Sequence, residues 1–381
     1  MEDIKRCVRC ILPESIPSIT LDNEGVCNYC RAYDNSFANW EKIKQRKTRE
    51  FENLLQQAKR LNRPYDCLIP LSGGKDSTYT LYLCSKVYGL KCLCVTVDNG
   101  FLTNRAKMNI QNALKETDAD HIFFNFNRAS VLKLYRLFLM KCGEFCPACM
   151  RCINLSIEKT AKMFNIPLVI KGSGRRVQYV SQIPELGTSN SPSFFKNVVK
   201  GEPLEKDFSQ MFSDQKTLEI QKMLGALSDL LKIPRTRLMR YVTQHIGLYD
   251  YLYTPRNEVY RIIKDKMGWE KSVDTFEHMD CQLHEIPFYI QTLKIPELTT
   301  ETLYNSGLIR QGLMTRNEAM NIENEKLNNP KPPEELSSFL KDIKMSYDDF
   351  VGFAQELGKA KQFNPKMGTM LRRIYHRRRK Y

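Results

Sequence analysis

The hydrophobic positions of this chain follow two alternating patterns between residues 65 and 171. Short, continuous apolar runs, typical of buried strands, alternate with longer stretches whose apolar residues recur at helical spacing. The runs predict strands at 67–71, 93–97, 121–124 and 167–170, and the stretches predict helices at 77–88, 105–116, 131–139 and 153–164. This alternation indicates an α/β fold, in which helices cover both faces of a parallel sheet. Ligands of such sheets bind at the carboxyl ends of the strands.

The segments on either side of this region have different patterns. A charged stretch at 40–61 carries Phe51, Leu54, Leu55 and Ala58 at helical spacing, which predicts a helix. The later apolar spacing indicates helices at 216–231, 258–267, 315–323, 333–340 and 347–357. We therefore predict four segments: a cysteine knuckle at 1–35, a helical linker at 36–64, an α/β domain at 65–299 with a helical insertion near 200–245, and a helical C-terminal region at 300–381.

Bulk composition narrows the class of protein. The chain has 381 residues, of which 42% are hydrophobic, an ordinary fraction for a globular protein. No apolar stretch is long enough to cross a bilayer, and the first residues lack the apolar core of a secretory signal. We therefore expect a cytoplasmic protein with no membrane span. Because thiols stay reduced there, the 13 cysteines predict metal binding and core packing, not a disulfide framework.

The formal net charge of +15 suits a polyanionic partner. Lysines that merely coat the surface give the same excess, and we favour that interpretation for most of the charge. The C-terminal tail is a dense basic cluster that either contacts phosphates or is a solvated terminus. It consists of Arg372, Arg373, Arg377, Arg378, Arg379 and Lys380.

A glycine-rich loop joins the first predicted strand to the helix that follows it. Two glycines allow backbone amides to turn towards an anion, and the helix N-terminus adds partial positive charge. Hydroxyls, an ammonium group and a carboxylate supply hydrogen bonds, charge for phosphate and a ligand for Mg²⁺. The loop therefore predicts ATP binding, with Lys75, Asp76 and Ser77 as the catalytic residues. Its members are Ser72, Gly73, Gly74, Lys75, Asp76 and Ser77.

The spacing of this phosphate loop is not that of a Walker motif. It resembles the Ser-Gly-Gly-x-Asp-Ser signature of the PP-loop ATP pyrophosphatases, which have a Rossmann-like fold of the adenine nucleotide alpha hydrolase-like type. The resemblance implies cleavage of ATP between the α- and β-phosphates, which yields pyrophosphate and an adenylated substrate. Asp98 ends the second predicted strand, and Gly172 and Ser173 follow the fourth. These positions match further nucleotide-binding positions of that superfamily.

Two Cys-x2-Cys pairs mark the N-terminal segment. Four thiolates at this spacing are typical of a tetrahedral structural zinc site in a zinc-ribbon-like knuckle. The segment has few other core residues, so a metal is expected to hold it together. An iron centre is the main alternative. The cysteines are Cys7, Cys10, Cys27 and Cys30.

A narrower resemblance is to the N-acetyl sugar amidotransferase family. It is carried by residues 17–22 and 25–30 of the knuckle, by 65–72 and by the later stretches 312–319 and 345–350, so it extends over most of the chain. It implies an enzyme of surface-polysaccharide or nonulosonic-acid biosynthesis. Such an enzyme adenylates the N-acetyl amide of a sugar or nucleotide sugar. Ammonia from a partner glutaminase subunit then replaces the amide oxygen.

A second cysteine cluster, Cys146, Cys149 and Cys152, lies between the third and fourth predicted strands. Its third cysteine departs from the pattern of the sugar amidotransferases. Cysteines at this spacing can bind a 4Fe–4S cluster with one open iron, which resembles the sulfur-transferring PP-loop enzymes. Zinc with Cys142 or Cys281 as fourth ligand is another interpretation, and structural thiols without metal are a third. The sulfur alternative implies tRNA or a small molecule as substrate.

The segment 277–281 offers two further candidates for the same site. His278 is a candidate acid or base, and Cys281 a candidate ligand or nucleophile, although both residue types are often structural. Arg175 and Arg176 follow the fourth strand and contact either phosphates or solvent. A non-catalytic nucleotide-binding zinc module is the remaining alternative. The intact phosphate loop argues against it.

Overall fold

A five-stranded parallel sheet forms the centre of the structure. In this computed structural model, the residues described are 4–37, 40–174, 183, 186, 191–208, 235–271, 280–328 and 331–359. The sheet has the order β3-β2-β1-β4-β5, and every neighbouring pair is parallel. This confirms the predicted α/β class with a parallel sheet. The strands are β1 Cys67–Pro70, β2 Cys92–Asp98, β3 Asp120–Asn125, β4 Leu168–Lys171 and β5 Gln244–Gly247.

Helices precede the sheet, connect its strands and follow it. The earlier ones are α1 Asn28–Phe37, α2 Trp40–Arg60, α3 Lys75–Tyr82, α4 Asn104–Lys115, α5 Arg128–Cys142, α6 Cys146–Met163, α7 Pro192–Val199 and α8 Leu204–Asp207. The later ones are Arg235–Leu238, Arg256–Met267, Glu285–Lys294, Thr302–Arg310, Arg316–Asn328, Glu335–Asp342 and Tyr347–Lys359. The predicted helix at 216–231 lies outside the described residues. Within the described ranges, no helix has both the length and the apolar character needed to cross a bilayer.

Strands β1, β2 and β4 are buried on both faces of the sheet, whereas the edge strand β3 is partly exposed. In β1, Cys67 and Ile69 point to one side of the sheet and Leu68 to the other, as alternation along a strand requires. Helices α2, α3, α4 and Arg256–Met267 pack on the first side. Helix α6 packs on the second side, where it contributes Ile157. Burial on both faces explains why these three strands are continuous apolar runs.

Strand β5 and the start of helix α6 are among the features that differ from the sequence-based expectation. The apolar pattern does not predict β5, because Ile246 is the one strongly apolar residue in this edge strand. Helix α6 begins at Cys146, before the predicted start at 153. Pro147 favours this earlier start because proline suits the first turn of a helix, where its missing N–H has no partner to lose. The second cysteine cluster therefore lies on the first turns of α6.

The N-terminal knuckle packs on helices from the C-terminal part of the chain. Arg6 forms a buried ion pair with Glu323, with 3.1 Å between Nη1 and Oε1, and its Nη2 donates to the Glu297 carbonyl at 2.8 Å. Glu323 also accepts hydrogen bonds from the hydroxyls of Thr299 at 2.9 Å and Thr302 at 2.7 Å. Both buried charges thus have ion-pair and hydrogen-bond partners. The contact joins residues about three hundred positions apart in the sequence.

Replacing Glu323 tests this contact. We expect Glu323→Gln to lower the free energy of unfolding by about 3–5 kcal/mol, because Arg6 then stays buried without a counter-charge. Urea unfolding of the metal-loaded protein measures the loss. Glu14→Gln is the matched control, because Glu14 pairs with the 71% exposed side chain of Lys5. Exposed pairs contribute about 0–1 kcal/mol. Equal losses of unfolding free energy in Glu323→Gln and Glu14→Gln would contradict a stabilising role for the buried Arg6–Glu323 pair.

Candidate active site and metal centre

The phosphate loop leaves the central strand β1 and enters α3 through two glycines. Gly73 has a φ of +81°, a left-handed conformation that glycine tolerates. A Cβ on Gly73 would lie 2.3 Å from the carbonyl oxygen of Ala106 in α4. Helix α3 begins at Lys75, one residue after Gly74, which has extended backbone. The predicted strand, glycine loop and helix N-terminus are therefore all present, with the helix positive end at the loop.

The loop is held in place by hydrogen bonds from its own hydroxyls and from distant residues. The backbone N–H of Ser72 donates to Ser77 Oγ at 3.2 Å, and this hydroxyl donates to the Gly74 carbonyl at 3.0 Å. The Gly73 carbonyl accepts from Trp269 Nε1 at 2.9 Å. These bonds fix the loop before any ligand binds, which lowers the cost of ordering it around an anion.

Asp76 is held by a charged and a neutral donor. Lys75 Nζ lies 2.8 Å from Asp76 Oδ2, and the hydroxyl of Tyr249 donates to Asp76 Oδ1 at 2.7 Å. Burial, reinforced by the negative charge of Asp76, raises the pKa of Tyr249 well above its usual range. Tyr249 therefore remains a proton donor that orients the carboxylate. The apolar pattern gives no signal for Tyr249, since it follows the unpredicted strand β5.

Asp280 places a second carboxylate against the loop. Its Oδ2 lies 3.6 Å from where a Cβ on Gly74 would be, and its backbone carbonyl accepts from the N–H of Thr103 at 3.0 Å. Burial raises the pKa of the Asp280 carboxyl, while a hydrogen bond from Ser72 opposes that shift. Two carboxylates beside an anion-binding loop suit a divalent cation bound with the phosphates, so the residues fit Mg²⁺. Asp280 lies within the predicted segment 277–281.

The other nucleotide-binding candidates lie at the same edge of the sheet. Asp98 ends β2, where Oδ1 accepts from the Gly100 N–H at 2.7 Å and Oδ2 lies 3.1 Å from Lys107 Nζ. Gly172 follows β4, and a Cβ there would lie 2.6 Å from the backbone carbonyl of Asp76. Ser173 comes next in the chain. The parallel topology thus brings the ends of β1, β2 and β4 together around the start of α3.

A second thiol cluster forms beside this edge. Asn99, which follows β2, donates from Nδ2 to Cys149 Sγ at 3.2 Å and to the hydroxyl of Tyr135 at 3.3 Å. Burial raises the pKa of Cys281 to about 12, and the nearby Cys149 thiol adds to this shift. Burial likewise raises the pKa of Cys146, which also interacts with both thiols. Asn99 thus contacts both Cys149 and Cys281, and Cys146 lies within electrostatic range of these two thiols.

The N-terminal knuckle gathers its four thiols into one buried site. Their sulfur atoms all lie within 4.8 Å of one another. The backbone N–H groups of Cys10 and Cys27 point at Cys7 Sγ, at 3.4 and 3.2 Å. Hydrogen bonds with Cys27 and Cys30, assisted by the charge of Arg310, lower the pKa of Cys10 to about 7. Four buried thiols of this kind fit a metal such as zinc.

Among the described residues, no other group of three or more metal-ligating side chains meets this distance criterion. Cys146, Cys149 and Cys152 share one helix but do not form such a group. Their role as metal ligands therefore stays a prediction. His278, Arg175, Arg176 and the basic tail lie outside the described residues.

Comparisons with known proteins assign no activity. No model of a known protein family matches the chain. The chain is similar to a protein of Methanocaldococcus jannaschii described as uncharacterized, with 28% identity over 155 residues. The similarity covers 40% of this chain and 53% of that protein, so the chain spans about half the length of its relative.

Substitution of Gly172 tests the close backbone contact between the end of β4 and the start of α3. We expect Gly172→Ala to destabilise the protein by about 1–3 kcal/mol, because its Cβ collides with the backbone of α3, and to weaken the predicted ATP binding at least tenfold. Isothermal titration with ATP and urea unfolding measure the two effects.

Gly352→Ala is the matched control, since nothing lies within 4 Å of a Cβ at that helical position. It is expected to leave binding unchanged and to add about 0.5–1 kcal/mol of stability. ATP binding by Gly172→Ala within twofold of the native protein would contradict this description of the site.

Proposed function

We propose that this protein is an ATP-dependent adenylating enzyme of the PP-loop ATP pyrophosphatase superfamily. The observation that carries the proposal is the phosphate loop itself, a preorganised glycine turn at the end of the central strand. Its helix N-terminus, Lys75 and Ser77 supply donors for phosphate oxygens. The strand order, with β1 in the centre and β4 on the side opposite β2, supports a Rossmann-like nucleotide site at the point where the order reverses.

The proposed reaction transfers the adenylyl group of ATP to a substrate oxygen. The oxygen attacks the α-phosphorus, the bond to the β-phosphate oxygen breaks, and pyrophosphate leaves. Lys75 and the loop amides stabilise the negative charge that develops on pyrophosphate. Mg²⁺, when bound, would neutralise phosphate charge in the same region. Asp76 and Asp280 are the carboxylates available to hold it, and Tyr249 keeps Asp76 oriented.

We infer that the substrate is the N-acetyl amide of a sugar or nucleotide sugar. Adenylation of the amide oxygen converts it into a leaving group, so ammonia can add to the amide carbon and AMP can depart. The product is an acetamidino group. The resemblance described above supports this substrate class and a glutaminase subunit as the source of ammonia. A precursor of a surface polysaccharide or nonulosonic acid fits the same chemistry.

The second thiol cluster favours one alternative function, sulfur transfer. Cys146, Cys149 and Cys152, at the start of α6, are the candidate ligands, and a 4Fe–4S cluster bound there would hold sulfide close to an adenylated substrate. Under this alternative the adenylate forms on tRNA or on a small molecule, and sulfur replaces oxygen. A non-catalytic nucleotide-binding zinc module is a third possibility. Both alternatives make predictions different from those of the amidotransferase.

Asp76→Asn tests the adenylation step. We expect formation of AMP and pyrophosphate from ATP, ammonium chloride and N-acetylated nucleotide sugars to fall about 100-fold or more, the usual loss when a group that organises transition-state charge is removed. Asp118→Asn, which changes an exposed carboxylate, is the matched control and should keep full activity. Unchanged turnover in Asp76→Asn would refute the site, and no turnover of any substrate by the native protein would favour the binding module.

The metal content distinguishes nitrogen transfer from sulfur transfer. After anaerobic purification we expect about one zinc per chain and no iron, with the zinc lost in Cys10→Ser and retained in Cys149→Ser. Elemental analysis and sulfide determination measure both quantities. About four irons and four sulfides per chain, lost in Cys149→Ser, would instead support the sulfurtransferase.

A further inference from the structure

One face of helix Thr302–Arg310 carries two buried polar side chains that have no hydrogen-bond partner in the described part of the chain. They are the hydroxyl of Ser306 and the guanidinium of Arg310, whose Nε and both Nη atoms are unpaired. Ser306 is fully buried and Arg310 is 4% exposed. Polar groups buried in this way are strongly unfavourable unless a partner compensates for the lost water, and a charged group most of all.

The same face packs against the cysteine knuckle. Leu303, Ser306 and Arg310 recur at three- and four-residue spacing, so they lie on one side of the helix. Leu303 belongs to the buried cluster that contains the four knuckle cysteines. The charge of Arg310 acts on the thiol of Cys10. The unpaired donors therefore lie on the helix face that packs against the knuckle.

The other arginines near the knuckle already have ion-pair or hydrogen-bond partners. Arg6 pairs with Glu323, and Arg316 donates from Nε to the carbonyls of Cys7 and Cys10, each at 3.1 Å. Among the described residues, no carboxylate forms an ion pair with Arg310. A metal ion bound by four thiolates would supply a counter-charge for the Arg310 guanidinium. Four thiolates on a divalent ion leave a net charge of about −2, and N–H and O–H groups donate to thiolate sulfur.

We propose that Ser306 and Arg310 form the outer shell of the metal–thiolate centre, supplying hydrogen bonds and counter-charge from a distant helix. They are positioning residues, since the metal is bound by Cys7, Cys10, Cys27 and Cys30. Metal binding at the N-terminal knuckle thus depends on the docking of helix Thr302–Arg310. This inference is independent of the proposed ATP chemistry.

Zinc affinity and the cobalt spectrum of the full chain test the proposal. Arg310→Met keeps an unbranched side chain that can pack in the same place, and it removes both the charge and the N–H donors. We expect it to weaken zinc binding about 10- to 100-fold, measured by competition with a chelator, as is typical for loss of an outer-shell partner. It should also shift the sulfur-to-metal charge-transfer band of the Co²⁺-substituted protein. Arg310→Lys should recover part of the affinity because it restores the charge.

Lys5→Met is the matched control, because it removes an exposed cation from the same knuckle. Its zinc affinity should stay within threefold of the native value. Native-like affinity and an unshifted cobalt band in Arg310→Met would overturn the proposal. If Arg310→Met does not fold, Ser306→Ala provides the test, because it removes only one hydroxyl. Weaker zinc binding with a shifted cobalt band in Ser306→Ala would support the proposal. Unchanged zinc affinity and an unshifted band would overturn it.

Discussion

The close approach of backbones at the carboxyl edge of the sheet is the constraint on which the candidate active site depends. Gly73 lies against the carbonyl of Ala106 in α4, and Gly172 lies against the backbone of Asp76 in α3. Neither contact leaves room for a Cβ. The connections after β2 and β4 therefore hold the loop between them through main-chain atoms, and Trp269 secures it by a hydrogen bond. Donors fixed in this way need little reorganisation to bind a polyanion, which is the basis of electrostatic preorganisation.

Two consecutive residues connect the phosphate loop with the second thiol cluster. Cys281 forms an isolated β-bridge with Leu102, and the carbonyl of Asp280 accepts from the N–H of Thr103, so both residues are fixed beside the connection that follows β2. The side chain of Asp280 lies at the loop, where Ser72 contacts it. The side chain of Cys281 lies near Asn99, which also contacts Cys149. Under the proposed adenylation, this arrangement would place the adenylated substrate next to the thiols. Transfer of nitrogen and transfer of sulfur could therefore both follow the same adenylation step.

Much of the sheet and of the loop was predictable because the signals are local. Each central strand is a short apolar run, and the phosphate loop is a compact motif directly after β1. The edge strand β5 was not predictable, because a single apolar residue among polar neighbours does not produce the alternating or continuous apolar pattern that marks a strand. Tyr249 and Asp280 reach the loop through tertiary packing, and no local pattern marks them. The knuckle thiols were predictable from spacing, whereas the proximity of Cys281 to Cys149 depends on how distant segments fold together.

The knuckle cannot be understood as an independent module. A segment of this size buries too little apolar surface to fold alone, so a metal usually supplies the missing stability. Here its apolar residues, such as Leu12 and Ile16, share one core with Leu298 and Leu303 of the C-terminal half. The buried Arg6–Glu323 pair crosses the same interface. If the knuckle separated from these helices, apolar surface on both sides would be exposed and buried charges would lose their partners. The thiol centre and the helices that cover it consequently form one cooperative unit, although they are far apart in the sequence.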